Sequence, residues 1–266
     1  PSLARSLQRE GYHTGYLYGG DITIMNKKGY LVATGYRQLT SAADFPKRET
    51  SESKWGANDS VALERTLALV GERNASGKPY YIGMQTIDSH EPFDVPPGYM
   101  QDKTLNAFAF VDSYLGDFVK SLRKTDRWDR SLVVIVPDHL GAWPEEIDNF
   151  KPWRFHCPMI WTGGAIEKPM VVDTYASQQD IAATLLAQLG LPHNDLLFSK
   201  DIFDASIPHY AFFLMNDGIG FIDTDNTMIY DNKLGRTVID EGRQKGKNLQ
   251  RGKALLQVLF DDIARR

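Results

Sequence analysis

Helical and extended patterns alternate along most of this chain, and this alternation restricts the fold more than any other feature. Apolar residues spaced three and four apart predict helices at about 58–73, 105–123 and 177–189. Short aromatic or β-branched runs predict strands at 12–18, 80–86, 129–136 and 157–162, and the apolar run in the third predicts that it is buried. Strands that alternate with helices form parallel sheets with helices packed on their faces. The sequence therefore predicts an α/β fold with a mixed, mostly parallel sheet.

The pattern changes near residue 208. Short apolar runs, separated by turns rich in Asn, Asp and Gly, lie at 211–215, 218–223, 227–230 and 236–239. Such runs predict a meander of antiparallel hairpins, and an amphipathic helix closes the chain. We therefore divide the chain into a larger domain at 1–207 and a small antiparallel sheet plus helix at 208–266. The polar stretch at 37–54 is predicted to be a loop, and Asn58, Asp59 and Ser60 are candidate caps of the following helix. Ser177 is the predicted N-cap of the helix at 177–189.

Charge and composition exclude some classes of protein. A formal net charge of -4 over 266 residues gives no electrostatic footprint for nucleic acid. No apolar run approaches the roughly 20 residues of a membrane-spanning helix. The single cysteine, Cys157, cannot form an internal disulfide, so cysteine usage leaves the compartment open. The chain begins at Pro1, already inside a helical pattern, and we expect it to be a piece of a longer protein.

Polar side chains follow three of the predicted strands directly. They are Asp21, Asn26 and Lys27 after the first strand, Asp88 and His90 after the second, and Asp138 and His139 after the third. The carboxyl ends of parallel neighbouring strands meet at one edge of a sheet, so these side chains are expected to converge there. Asp138 and His139 offer a metal one hard oxygen and one borderline nitrogen. The alternative is that Asp138 caps a turn and His139 is a surface loop residue.

The order of these motifs resembles the lipoteichoic-acid-synthase-like branch of the sulfatase and alkaline-phosphatase superfamily. The similar segments are Tyr18-Gly19-Gly20-Asp21, Asn26, Gly35-Tyr36, Trp55-Gly56, Ser89-His90-Glu91-Pro92-Phe93, Val111-Asp112, Pro137-Asp138-His139-Leu140-Gly141, Arg154 to Ile160 and Ser177 to Leu186. The resemblance covers about residues 1–195. It implies an alkaline-phosphatase-like catalytic domain that lacks its N-terminal part.

The resemblance also implies the roles of individual residues. Asp138 and His139 would hold one divalent metal ion, for which Mn²⁺ is favoured over Mg²⁺, Zn²⁺ and Ca²⁺. His90 would contact the substrate or its leaving group, and Asn26 and Lys27 would bind the phosphate. Lys27 stands where the synthase has Arg, so a point charge replaces a bidentate donor. The nucleophile, a Thr in the synthase, is expected upstream of Pro1.

The function that the resemblance implies is enzymatic. We expect a metal-dependent phosphoryl transferase of the phosphoglycerol type, or a phosphodiester or phosphoester hydrolase, acting on an anionic substrate that can be lipid-linked. The whole protein would sit at the cell membrane, through segments absent from this chain, with its catalytic domain extracytoplasmic. A sulfatase acting on a sulfate ester is the second interpretation, although Cys157 lacks the Cys-x-Pro-x-Arg pattern of sulfatases. A non-catalytic, truncated module is the third.

Overall fold

The computed structural model describes residues 1–50, 54–141, 143, 145 and 147–265. The chain forms two compact units, one made of residues 1–133 and 162–167 and the other of residues 134–161 and 168–266. The helices are α1 Leu3–Arg9, α2 Lys27–Ala33, α3 Lys47–Thr50, α4 Asp59–Ser76, α5 Lys103–Leu122, α6 Asp180–Gln188 and α7 Lys247–Arg265. None of the helices in the described part of the chain is long and apolar enough to span a membrane. The domain boundary expected at 207–208 stays a prediction.

The first unit is built on a parallel sheet of three strands. They are β1 His13–Tyr18, β2 Gln38–Thr40 and β3 Tyr80–Gln85, in the order β2-β1-β3. Both neighbours of β1 run parallel to it, so all three carboxyl ends lie at one edge. On one face, Leu17 of β1 packs in a buried cluster with Ala62 and Leu69 of α4. The predicted parallel α/β architecture is confirmed.

A backbone crossing follows β1 directly. The amide of Ala57 donates to the carbonyl oxygen of Gly19 at 2.9 Å, and Gly20 bridges Gly56 in antiparallel fashion. A side-chain carbon on Gly19 would lie 2.3 Å from the carbonyl oxygen of Ala57, and Gly56 has a φ of 135°. Only glycine permits both the contact and this backbone conformation. The crossing places the start of α4 beside the carboxyl ends of β1 and β3.

Residues 37–54 are not the simple loop that the sequence suggested; residues 51–53 of that stretch lie outside the described residues. The stretch contains β2 and α3, and the sequence prediction also missed α2. The strand β2 has only three residues, and it is formed by pairing from Gln38 to Thr40 with β1 rather than by an apolar pattern of its own. Hydrophobic periodicity does not detect a strand of this kind.

The strand predicted at 129–136 is shorter and more exposed than expected. A 3-10 turn at Trp128–Arg130 takes up its first residues, since the amide of Ser131 donates to the carbonyl of Trp128. The strand β4 is Val133–Ile135, and it pairs with β5, Ile160–Thr162, as a two-stranded sheet. All three residues of β4 are half-buried rather than buried, which corrects the sequence prediction.

The second unit contains the antiparallel meander that the sequence predicted. Its strands are β6 Ala211–Met215, β7 Gly218–Ile222, β8 Asn226–Asp231 and β9 Arg236–Gly242. Each strand pairs antiparallel with the next. The core between the sheet and α7 is made of buried Phe212, Ile219, Phe221 and Met228. Ser177 does not cap α6 as predicted; its hydroxyl instead accepts from the amide of Phe212 at 2.7 Å.

We expect Ile219→Ala to destabilise the second unit by about 2–5 kcal/mol, because truncation of a fully buried side chain leaves a cavity. Leu214, its directly paired neighbour on β6, is 54% exposed and provides the matched control. Leu214→Ala should change stability by roughly 0.5 kcal/mol or less. Urea unfolding followed by circular dichroism measures both values. Equal effects of the two substitutions would contradict the packing described here.

Candidate functional site

Lys27 lies where the carboxyl ends of β1 and β3 meet. Its Nζ donates to Oε1 of Gln85, the last residue of β3, at 2.8 Å. The same nitrogen lies 3.6 Å from the ring centroid of Tyr18, the last residue of β1. Partial burial lowers the pKa of the Lys27 ammonium. The ammonium of Lys27 is therefore fixed at the sheet edge by two contacts, unlike that of a mobile surface lysine.

Asn26 precedes Lys27 in a turn of uncommon backbone geometry. Met25 and Asn26 have φ values of 53° and 58°, which are left-handed conformations that non-glycine residues adopt at a cost. The Asn26 side chain lies over Gly29, where a side-chain carbon would come within 2.4 Å of Oδ1. Met25 is 95% exposed. Since strained backbone clusters at functional sites, this turn favours a role for Asn26, but that role stays a prediction.

His90 lies in a tight turn after β3, with its amide donating to the carbonyl of Ile87 at 3.1 Å. Its Nδ1 donates to the carbonyl of Glu91 at 2.8 Å, and a carbonyl can only accept. The neutral imidazole therefore carries its lone pair on Nε2. Trp55 supports the same turn: its indole Nε1 donates to the Glu91 carbonyl at 2.6 Å, and its ring meets His90 edge-on, with centroids 5.3 Å apart.

Asp59 and Asp88 form a reciprocal pair. The sequence placed Asp88 at this edge and Asp59 at a helix start, but it did not predict that the two bind each other's backbone. The Asp59 carboxylate accepts from the amides of Ile87 and Asp88, each at 2.9 Å. The Asp88 carboxylate accepts from the amide of Asp59 at 2.6 Å and from Nδ2 of Asn58 at 3.2 Å. Both carboxylates are buried, at 0% and 3% exposure. Burial raises the pKa of both, and the charge of Asp88 raises the pKa of Asp59 further.

Asp138 and His139, the predicted metal ligands, lie after β4 in the second unit. His139 Nδ1 donates to the carbonyl of Leu140 at 2.9 Å, so its Nε2 carries the lone pair. That Nε2 lies 3.8 Å from Oδ2 of Asp138. Two ligands that are each about 2.0–2.2 Å from a shared ion lie roughly 3–4 Å apart, so the donor set and the spacing fit a divalent metal. The other carboxylate oxygen, Oδ1, accepts from the His139 amide at 2.8 Å.

Three side chains fix the backbone of this segment. Gln178 Nε2 donates to the carbonyls of Pro137 and Asp138, both at 2.7 Å. The Cys157 thiol contacts the Asp138 carbonyl at 3.4 Å, and burial raises the pKa of this thiol. Arg154 Nη1 donates to the carbonyl of Gly141 at 3.4 Å. The sequence placed Gln178 at the start of a helix but gave no signal that its amide would reach Asp138.

The predicted site residues are thus distributed between the units. Asn26, Lys27 and His90 belong to the first unit, and Asp138 and His139 belong to the second. Among the residues that the structure describes, no three His, Cys, Asp or Glu side chains gather into a metal-binding group. Asp138 and His139 are therefore a pair of candidate ligands within their unit.

The fold and these motifs define a class of protein. The profile of the sulfatase family matches residues 1–191, and the chain belongs to that family. Lipoteichoic acid synthase 2 of Bacillus subtilis is 22% identical over 93% of this chain and 41% of its own length. Phosphoglycerol transferase I of Xanthomonas axonopodis pv. citri is 24% identical over 79% of this chain and 32% of its own length. The chain thus spans less than half the length of these curated relatives.

Solved structures agree on the fold. An alkaline phosphatase superfamily protein from Vibrio parahaemolyticus has a TM-score of 0.74 at 23% identity, covering 90% of this chain and 62% of that one. The lipoteichoic acid synthase LtaP from Listeria monocytogenes has a TM-score of 0.72 at 19% identity, covering 97% and 73%. The expected resemblance to the lipoteichoic-acid-synthase-like branch, and to a family of enzymes, is confirmed.

The buried carboxylates predict how stability depends on pH. In the folded protein the pKa of Asp59 is raised from 3.8 to about 7 and that of Asp88 to about 6, so the folded state keeps protons that the unfolded chain releases. Stability should therefore fall as the pH rises above about 4 and level off above pH 7. We expect a loss of about 1–3 kcal/mol between about pH 5 and pH 8, measured by urea unfolding.

Asp59→Asn provides the comparison, because an amide does not titrate in this range. Its stability should change less between about pH 5 and pH 8 than that of the parent chain. Asp223 provides an opposite control, because its pKa is lowered. Burial, the largest single effect, raises the pKa of Asp223, but the hydrogen bonds to its carboxylate and the charge of Arg251 together outweigh it. Its contribution is lost as the pH falls, so Asp223→Asn should not flatten the loss at rising pH. An identical pH profile in the parent chain and in Asp59→Asn would refute the assignment.

Proposed function

We propose that this chain contributes phosphate-binding and metal-binding residues to a metal-dependent phosphoryl transferase of the phosphoglycerol type. The observation that carries the proposal is the tautomer that two histidines have in common. His90 and His139 each donate Nδ1–H to the carbonyl of the next residue, so each presents an Nε2 lone pair. The relatives named lipoteichoic acid synthase and phosphoglycerol transferase support an anionic phosphoester as the substrate.

Oδ2 of Asp138 and Nε2 of His139 would hold one divalent cation, with Mn²⁺ as our first choice. A cation bound there would act as a Lewis acid that neutralises negative charge on phosphoryl oxygens. The hydrogen bond from His139 Nδ1 to the Leu140 carbonyl orients the ring and fixes its tautomer. Gln178 holds the peptide groups on both sides of the Asp138 Cα, which fixes the backbone that carries that carboxylate.

In the first unit, Lys27 would supply a charge-assisted hydrogen bond to a phosphoryl oxygen, with Asn26 beside it. Gln85 and Tyr18 hold the ammonium in place before any ligand arrives, which reduces the entropy lost on binding. His90 Nε2 would take up a proton from water and donate it to the departing ester oxygen as its bond to phosphorus breaks. We assign the nucleophile to no residue of this chain, and its expected position before Pro1 stays a prediction.

A substrate of the lipoteichoic acid type is lipid-linked. We therefore also propose that the whole protein acts at the cell membrane, with its catalytic part outside the cytoplasm. Segments outside this chain would provide the anchor. The supporting observation is the similarity to the synthases across most of this chain.

The metal proposal predicts that Asp138→Ala and His139→Ala each weaken Mn²⁺ binding by more than about 100-fold. Even loss of a residue that only supports a metal ligand costs about 10- to 100-fold in affinity. Calorimetric titration of the purified chain with Mn²⁺ measures the effect. His193→Ala is the matched control, because His193 Nδ1 also contacts a nearby carbonyl, that of Leu191, at 3.1 Å. Unchanged binding in both variants, or no binding by the parent chain, would contradict the proposal.

The phosphate proposal predicts that Lys27→Met weakens binding of glycerol phosphate by about 10- to 100-fold. A hydrogen bond to a charged group contributes about 1.5–3 kcal/mol, and each 1.4 kcal/mol corresponds to a factor of ten. Lys28→Met removes the same charge one residue away, at an exposed position, and should cost less than about threefold. Titrations followed by nuclear magnetic resonance (NMR) give the affinities. Equal losses in the two variants would leave Lys27 without a specific role.

A further inference from the structure

The segment Trp55–Asp59 holds the His90 turn at several points. Trp55 binds the Glu91 carbonyl, Asn58 binds the Asp88 carboxylate, and Asp59 binds the amides of Ile87 and Asp88. Asn58 Nδ2 also reaches the carbonyl of Asp94 at 3.3 Å. We propose that Asp59 and Asp88 are positioning residues for His90. This inference rests on the role proposed above for His90.

The bonding pattern of the pair explains how it controls the turn. Asp59 is the first residue of α4, and its carboxylate binds two successive amides at the start of the turn that carries His90. The amide of His90 closes that turn on the carbonyl of Ile87, the same residue whose amide Asp59 holds. The turn and the helix are therefore linked by hydrogen bonds in both directions, because Asp88 in return binds the amide of Asp59.

The free-energy cost of burying Asp59 and Asp88 side by side indicates that the pair does more than cap a helix. Two carboxylates buried side by side lose solvation and repel each other when both are ionised. A single accepting oxygen from a Ser, Thr, Asn or Asp is enough to cap a helix start. Asp88 already supplies an acceptor at the helix start, whereas the Asp59 carboxylate binds amides of the turn rather than of the helix. This is the expected result if the orientation of His90, and not helix stability alone, is what the pair maintains.

The consequence for His90 concerns its tautomer. The Nδ1–H bond to the Glu91 carbonyl exists only while that carbonyl points at the ring, and Glu91 lies just beyond the residues that Asp59 and Asp88 hold. The Trp55 indole also donates to this carbonyl, so Trp55 Nε1 and His90 Nδ1 both lose their acceptor if the turn rotates. Weakening the carboxylate pair should therefore release Nδ1 and let the proton move to Nε2. A proton on Nε2 would remove the lone pair that faces the substrate in our proposal.

The test measures the His90 tautomer directly, in the full chain without ligand. ¹⁵N-labelled histidine and long-range NMR spectra report which ring nitrogen carries the proton, and loss of one signal in His90→Gln assigns the residue. In Asp59→Asn and Asp88→Asn we expect the ratio of the Nε2–H to the Nδ1–H form to rise by roughly fivefold or more, the size expected from loosening one hydrogen bond. Glycerol phosphate binding should weaken in parallel.

Asp223→Asn is the matched control for a merely structural effect. Asp223 is also a buried carboxylate, and it binds two backbone amides, those of Asp225 and Asn226, in the other unit. It should lower the stability of the chain without changing the His90 tautomer. Asp59→Glu keeps the charge and should restore part of the Nδ1–H population.

Two results separate this inference from the proposed function. If His90 keeps its Nδ1–H form in both Asp59→Asn and Asp88→Asn, in variants that unfold cooperatively, then the pair does not position it. If the tautomer shifts but the parent chain does not bind glycerol phosphate, the positioning inference holds and the function proposed for this site fails. A tautomer shift of the same size in Asp223→Asn would also overturn the inference, because it would report general loosening.

Discussion

The contact on which the first unit depends is the close approach of two glycine-containing backbone segments. Gly19 and Gly20 follow β1 directly, and the segment at Gly56 and Ala57 lies against them so closely that a side chain on Gly19 or Gly56 would collide with backbone atoms. This contact brings the start of α4 to the carboxyl edge of the sheet. Without it, Trp55, Asn58 and Asp59 could not reach the turn that follows β3. The absence of side chains at the glycines is thus what allows the nearby polar side chains to meet.

The polar groups at this edge are held by neighbouring residues before any ligand binds. Lys27 is fixed by an amide oxygen and an aromatic ring, and His90 is fixed by a carbonyl and an indole. Fixing such groups costs conformational entropy during folding, which then does not have to be lost again on binding. The strained turn at Asn26 has the same character, because its left-handed backbone is stable only where the surrounding structure determines it. The loss of conformational entropy and the backbone strain are expected in a binding site, whereas an ordinary surface gives no reason for them.

The sequence predicted the parts of the fold that are set by burial. β1, β3, α4 and α5 repeat apolar residues at the strand or helix period, because one face of each packs against the core. β2 could not be predicted, since its pairing with β1 and not its side chains makes it a strand. The predicted helix start near Asn58–Ser60 was correct in place but incomplete. No local pattern reveals that the Asp59 carboxylate turns away from its own helix to bind a turn about 30 residues later.

Local sequence patterns also cannot distinguish the two histidines, His90 and His139. They are similar in their local hydrogen bonding and different in the side chains around them. Both donate Nδ1–H to the carbonyl of the following residue, a short-range feature that depends only on the local backbone. His139 is 51% exposed, and an adjacent carboxylate oxygen lies 3.8 Å from its Nε2. His90 is supported by an indole ring and by a turn that two buried carboxylates hold. An imidazole beside a carboxylate is suited to share a cation, whereas one held against an aromatic ring is suited to exchange a proton. The roles that we propose for His139, as a metal ligand, and for His90, as a proton carrier, therefore differ because of the side chain that each ring contacts, and tertiary structure sets those contacts.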